Sequence, residues 1–256
     1  MTRGLKTVGY LASLGLAVAI WDGLIRCGLA NADLLPGPGA VFKSLVEQAT
    51  TAEFRADLWE TLFRSVLGLV IGAAVAVPLG VVMALSPAAR GFFEPLVKAS
   101  YSLPKISLIP LLILWFGIGT TTNVIAVVLS TLLPVLVYTY HGVESVPKVL
   151  LWSANAMGTG PREMVWRVRI PAALPSILIG IRVGLGLSFV IAIAAEMIAS
   201  NRGIGKLIFV YGESGAYAPM FAAVTAVVIA AATIDIAFLR MSDYVLRWSD
   251  SHAVKR

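Results

Sequence analysis

The chain has 256 residues, 58% of them hydrophobic and 13% charged, with a net charge of +6 and a single cysteine. So apolar a composition excludes an ordinary water-soluble domain and points to helices in a bilayer. One cysteine, Cys27, excludes an internal disulfide and a thiolate metal cluster, and no metal site is expected.

In chain order, residues 7–21 form an uncharged run followed by Trp21-Asp-Gly-Leu-Ile-Arg26, with no small-x-small cleavage site. A retained first span over 8–29 is expected. Residues 34–39, Leu-Leu-Pro-Gly-Pro-Gly, read as a turn. Residues 40–50 read as a short helix, with Val41, Leu45 and Val46 on one face and Lys43, Glu47 and Gln48 opposite, lying along the outer interface or equally serving as an ordinary extramembrane connector. The uncharged stretch 65–89 exceeds the roughly 20 residues that cross a bilayer core, and a second span is expected over 62–85. It carries Gly68, Gly72, Ala76 and Gly80 on one face, a spacing that lets helix backbones approach closely.

A third span is expected over 93–116. Inside it, Ser102-Leu-Pro-Lys-Ile-Ser-Leu-Ile-Pro110 places two prolines around Lys105. Broken backbone at membrane depth is tolerated where it is buried in protein or lines a wet cavity, so this segment marks a translocation path. The apolar run 106–143 is too long for one helix and breaks at Gly117-Ile-Gly-Thr-Thr-Thr-Asn123, giving a fourth span over 123–141. Spans over 173–199, with Gly180 and Gly184 repeating the small-residue spacing, and over 216–240 complete an all-α, six-helix membrane bundle. No linker or repeat divides residues 1–256, which read as a single domain.

With a cytoplasmic N-terminus, the inner segments hold Arg3, Lys6, Arg90, Lys148, Arg162, Arg167, Arg169, Arg240, Arg247, Lys255 and Arg256. The outer segments hold only Lys43, Arg55, Arg202 and Lys206. This bias satisfies the positive-inside rule, puts both termini in the cytoplasm and accounts for the net charge without nucleic acid. Ionisable residues at membrane depth are costly and are functional candidates by default, which selects Lys105, Arg182, Glu196 and Asp235; the competing readings are snorkelling at an interface and internal ion pairing, for Asp235 with nearby Arg240. Arg182 and Glu196 lie roughly 20 Å apart along one helix, so they cannot pair with each other. Arg182 must depend on another helix, on water or on cargo.

Residues 142–172 form a basic, polar island between the fourth and fifth spans. Gly160-Pro161-Arg-Glu163 has the form of a helix start, with Pro at the first position and an acid near the positive end of the dipole. A short helix over about 149–158, a turn at Thr159 and Gly160, and a second helix would make a compact knob that a cytoplasmic partner could grip.

Here the residues resemble a family. Gly158, nine residues, then Val168-Arg-Ile-Pro171 fits the "EAA" signature of bacterial ABC importer permeases. The resemblance continues in Pro171-Ala-Ala-Leu-Pro-Ser-Ile-Leu-Ile-Gly-Ile-Arg182, Ala195-Glu-Met197 and Gly203-Ile-Gly-Lys-Leu-Ile208. Upstream, Pro104-Lys-Ile-Ser-Leu-Ile-Pro-Leu-Leu-Ile-Leu-Trp-Phe-Gly117 and Leu34-Leu-Pro-Gly-Pro38 look like the nitrate, sulfonate, taurine and bicarbonate branch. One departure stands out: the signature Glu is Trp152 and the first Ala is Ser153, leaving only Ala154 of the triplet.

The resemblance implies a type I ABC importer permease in a bacterial inner membrane, carrying a small anionic solute. It also implies a homodimer working with two ATPase subunits and a periplasmic or lipid-anchored substrate-binding protein. A coupling helix over 153–162, using Ser153, Ala154, Met157, Gly158, Thr159, Gly160, Pro161 and Arg162, would dock on the ATPase. Ser102, Lys105, Ser107, Arg182, Ser188 and Glu196 would line the path. The chain has no Gly-x-x-x-x-Gly-Lys-Ser/Thr loop, so ATP and Mg would be bound by the partner and no cofactor by this chain.

Two rivals compete. Gly212-Glu-Ser-Gly215 matches the Gly-x-Ser-Gly pattern of rhomboid-like intramembrane serine proteases, but His252 and His141 are both expected on the side opposite Ser214. A secondary transporter would show inverted repeats and would leave the knob without a purpose.

Overall fold

The computed structural model describes residues 3–29, 31 and 33–248, and holds helices and no strand among them. In order these are α1 (Arg3–Arg26), α2 (Pro38–Thr50), α3 (Ala52–Leu85), α4 (Pro87–Tyr101), a 3₁₀ turn (Lys105–Leu108), α5 (Ile109–Phe116), α6 (Thr120–Glu144) and α7 (Lys148–Ala156). Then α8 (Pro161–Glu163) leads through a wide π turn (Met164–Arg169) into α9 (Ile170–Ala199), followed by α10 (Ile204–Glu213) and α11 (Tyr217–Val245). Four helices, starting at Ala52, Thr120, Pro161 and Tyr217, are long and apolar enough to cross a membrane, and α4 with α5 would make a fifth. The expected first span overlaps α1.

The expected third span is not one helix. α4 and the segment Lys105–Phe116 are bent by 93°. Pro104 has no N–H to give and disfavours the α region at Leu103, so α4 stops at Tyr101 and the chain restarts as a tight turn. The second span also begins ten residues before its expected start, at Ala52, where Thr51 accepts from the Phe54 N–H and caps the helix. Acidic and basic residues between 52 and 62 keep the segment polar without opposing helix formation.

α6 is the central helix, with α3 parallel to it and α9 antiparallel. The glycine seam explains how they pack. A Cβ on Gly68 would come within 2.6 Å of Val127, one on Gly72 within 2.5 Å of Thr131 Oγ1, and one on Gly180 within 2.6 Å of Tyr138 Cβ. Close backbone approach is how helices associate where lipid offers no hydrophobic drive. Apolar clusters fill the layers between them, such as Ile109, Val127 and Ala192 toward one end and Val143, Ala173 and Ile177 toward the other.

α2 corrects a second expectation. Its inward line is Val41, Ser44, Leu45 and Gln48, and Gln48 Nε2 donates to the Pro219 carbonyl at 3.1 Å. Val46 is exposed. The helix therefore packs on α11 with its face rotated from the expected one, because Gln48 finds a backbone partner there.

Candidate functional site

A hollow of about 480 Å³ lies between the bent α4–α5 arm and the α6/α9 slab, lined among others by Tyr101, Lys105, Ser130, Tyr138, Leu187 and Ile191. It is mostly apolar, and Lys105 is its charged lining residue. Lys105 Nζ donates to the Ser100 carbonyl at 3.1 Å and sits 5.9 Å from the centre of the Tyr101 ring. The proline break thus puts one cation in the lining of an apolar hollow, together with Tyr101 and Tyr138.

The other expected path residues go elsewhere. Ser102 and Ser107 are exposed and do not line the hollow. Ser188 is buried with its hydroxyl donating to the Leu185 carbonyl at 2.7 Å. Arg182 reaches across to α11, where Nε and Nη2 each donate to one oxygen of Asp235 at 2.8 Å. That pair is half open, with the side chains 47% and 35% exposed. Asp235 therefore pairs with Arg182 rather than with nearby Arg240.

Glu196 sits in a closed polar knot at the end of the bundle away from α7. Its carboxylate is wholly buried and meets Arg64, 3% exposed, at 3.0 Å. Arg64 Nη1 also donates to Ser200 Oγ at 2.9 Å and to the Arg202 carbonyl at 2.8 Å, while Nη2 reaches Glu60 at 2.8 Å and Thr120 at 3.0 Å. The second Glu196 oxygen accepts from Thr61 at 2.7 Å and from the Gly205 N–H at 3.0 Å. Asp57 accepts from the Gly203 N–H at 2.9 Å, so two carboxylates serve the first N–H groups of α10. Gly203 has φ of +115°, and any Cβ there would collide with the Glu196 carboxylate. Nearby on α10, the Tyr211 phenol is pushed above its ordinary value, first by burial and then by Asp57 and Glu53, so it stays neutral.

Sequence reasoning missed Arg64, although it lies within the expected second span and the argument that selected Arg182 applies to it equally. The knot also explains why Ala195-Glu-Met197 and Gly203-Ile-Gly205 occur together: one caps the other.

At the opposite end, α7 and α8 form the knob. The expected coupling helix over 153–162 is not a single helix. α7 ends at Ala156 in a Schellman turn, with the Thr159 N–H bonded to the Ala154 carbonyl at 3.1 Å and the Gly158 N–H to Asn155 at 3.0 Å. Gly158 has φ of +81°, which a glycine adopts without strain, and a Cβ there would meet nothing within 4 Å. Gly160 is extended and precedes Pro161 at the first position of α8, as expected. Pro171 has no N–H for the Arg167 carbonyl, and the Ile170 N–H bonds back to Val165, which gives the π turn. Of the expected contact residues, Ala154 is buried and Met157 and Arg162 are exposed. Trp152 and Trp166, 67% and 72% exposed, stand out of the knob beside them.

Ser214 donates to the Tyr211 carbonyl in the turn after α10, far along the bundle from His141 near the end of α6, and His252 lies outside the described residues. Among the described residues no three His, Cys, Asp or Glu side chains could hold a metal ion.

The model of the "Binding-protein-dependent transport system inner membrane component" family matches residues 76–249. The chain is 30% identical to the taurine transport system permease protein TauC of Escherichia coli (strain K12), covering 93% of this chain and 88% of that one. It is 26% identical to the putative aliphatic sulfonates transport permease protein SsuC of Bacillus subtilis (strain 168), covering 97% and 91%. Among solved structures it resembles the inward-facing MetNI methionine ABC transporter, with a TM-score of 0.65 at 22% identity over 73% of this chain and 93% of that one. It also resembles a bacterial alginate ABC transporter in complex with a periplasmic protein, with a TM-score of 0.61 at 15% identity over 96% of each chain. The chain belongs to the binding-protein-dependent transport system inner membrane components: it is a multi-pass permease with the type I ABC importer fold, a transport component and not an enzyme.

Proposed function

We propose that the chain imports a small sulfonate-class anion as one half of a homodimeric ABC permease. The observation that carries this reading is the placement of Lys105 in the proline break, where it faces the apolar hollow between the arm and α6/α9. The relatives named for taurine and aliphatic sulfonates supply the solute class. An apolar wall suits a short aliphatic chain, and one cation suits its oxyanion head.

The knob supports the partner assignment. Trp152, Met157 and Trp166 are large apolar side chains standing among Arg162, Arg167 and Lys148 on a short, self-capped turn. An ATPase groove would cover them, and Trp152 would supply by apolar burial what the missing signature Glu supplies by charge. ATP and Mg belong to that subunit. Closure of the ATPase dimer would carry the two knobs together and switch the packed helices between inward and outward arrangements, while a binding protein delivers cargo to the far end. The knob end is cytoplasmic and both termini lie on that side, by the bias in Lys and Arg. On a Cys27→Ala background, Lys43→Cys should react with an impermeant thiol reagent from outside and Met157→Cys should not; the reverse sidedness would invert the topology.

The functional test is taurine and ethanesulfonate uptake by proteoliposomes holding this chain with its ATPase and binding protein. ATP-dependent uptake that needs both partners is expected. Uptake that persists without the ATPase and follows an ion gradient would make the protein a secondary transporter.

A further inference from the structure

The Arg182–Asp235 pair sits inside two spans, toward the knob end of the bundle. Against the expected spans 173–199 and 216–240, Arg182 is nine residues from the nearer end, about 14 Å along the helix axis, and Asp235 is five residues from it, about 8 Å. A guanidinium and a carboxylate left half exposed at that depth cannot face lipid tails, where ionised groups are rare and turn toward protein or water. The α9 surface one turn further on is also open: Gly186 is exposed, and a Cβ there would meet nothing within 4 Å.

The bonding pattern adds a chemical identity. Arg182 presents one edge, Nε and Nη2, to two oxygens held in a plane at 2.8 Å each, and these are its hydrogen bonds. A sulfonate offers two oxygens at nearly the same spacing as a carboxylate, and the fork of the guanidinium suits either. Arg64 differs in that it is itself 3% exposed, meets a wholly buried carboxylate and has further partners in Glu60, Thr120, Ser200 and the Arg202 carbonyl.

We infer that the α9/α11 face around Arg182 lines a water-filled cleft, and that the Arg182 guanidinium is an exchangeable oxyanion site at which Asp235 holds the place of the cargo's sulfonate. When a sulfonate approaches, Asp235 swings out and is hydrated in the cleft. When it leaves, Asp235 returns, so the cation is never left bare in the membrane and cargo is not held too tightly to move on. The choice of sulfonate rests on the importer reading above; the cleft itself does not.

The test uses the full complex in membranes, with Gly186→Cys on a Cys27→Ala background and a charged, impermeant methanethiosulfonate reagent. Labelling is expected, since a thiol in lipid or under a protein contact does not react. Ethanesulfonate, which has no ammonium group, should slow it. Adding Asp235→Asn should lower the half-protecting ethanesulfonate concentration by about two- to fivefold, the effect of removing a competing exposed ion-pair partner. Adding Arg182→Gln should leave labelling intact and abolish protection. An inert Gly186→Cys variant in a complex that still imports taurine overturns the cleft. Protection unchanged by Arg182→Gln overturns the anion site. Labelling and protection as described, in a complex that shows no ATP-driven uptake, uphold this inference and defeat the importer reading instead.

Discussion

Among the described residues, two ion pairs tie α9 to its neighbours, and they differ in enclosure and in their number of partners. Arg64–Glu196 is enclosed, with Thr61, Glu60, Thr120, Ser200 and the start of α10 meeting the remaining hydrogen-bonding atoms. Arg182–Asp235 has two good hydrogen bonds and an open side. A buried charge with many partners is committed to the fold, because losing any one leaves another unsatisfied. A half-open pair at membrane depth has room for water or a solute. Depth alone selected Arg182, Glu196 and Asp235 together; the number of partners and the exposure separate them.

The largest expected effect is at the enclosed pair. Glu196→Ala should destabilise the protein by about 3–5 kcal/mol, because Arg64 loses its buried counter-charge and keeps only Glu60, while Thr61 and the Gly205 N–H lose their acceptor, lowering the thermal midpoint by about 6–20 °C. A midpoint within a degree of the parent would mean that the knot holds nothing together. Next is the glycine seam that sets the distance between α3 and α6. Gly72→Val forces its Cβ against Thr131 and should cost about 1–3 kcal/mol, read in the same melt. No loss would show that α3 can shift freely, contrary to the rigid slab against which the open pair is contrasted. Smaller still is the knob, where Gly158→Asp costs about 1 kcal/mol for the left-handed backbone and meets no neighbour. It should weaken ATPase binding and transport while the bundle inserts and melts within about 2–4 °C of the parent. Pull-down at the parental level would remove Gly158 from the interface.

The parts of the fold legible in the sequence were those written in short-range signals. Uncharged runs located the helices, Pro104 and Pro110 located the broken arm, and Gly158 and Pro161 located the knob. What stayed hidden was pairing between distant residues. Glu196 and Arg64 are 132 positions apart, and nothing local to either says that they meet. α2 shows the same limit on a smaller scale: its pattern fitted two faces, and only the Pro219 carbonyl on α11 decides that Gln48 turns inward. Lys105 was recoverable because the break and the charge lie together in the chain. The segment 153–162 does not fold as the single helix expected of it, since a Schellman turn at Gly158 differs from a continuing helix by a single backbone conformation.

The most direct test of the division between a structural and a working ion pair is sulfonate uptake by reconstituted complex, normalised to assembled protein, for Arg182→Gln beside Lys105→Gln. Each variant should insert, assemble and melt close to the parent, since the half-open Arg182–Asp235 pair is worth about 0–1 kcal/mol and Lys105 gives up a single hydrogen bond to the Ser100 carbonyl. Uptake should nevertheless fall by about tenfold or more, the loss of at least about 1.4 kcal/mol of interaction with the moving anion. Transport at the parental rate by both variants would mean that these cations are structural and that the path runs elsewhere.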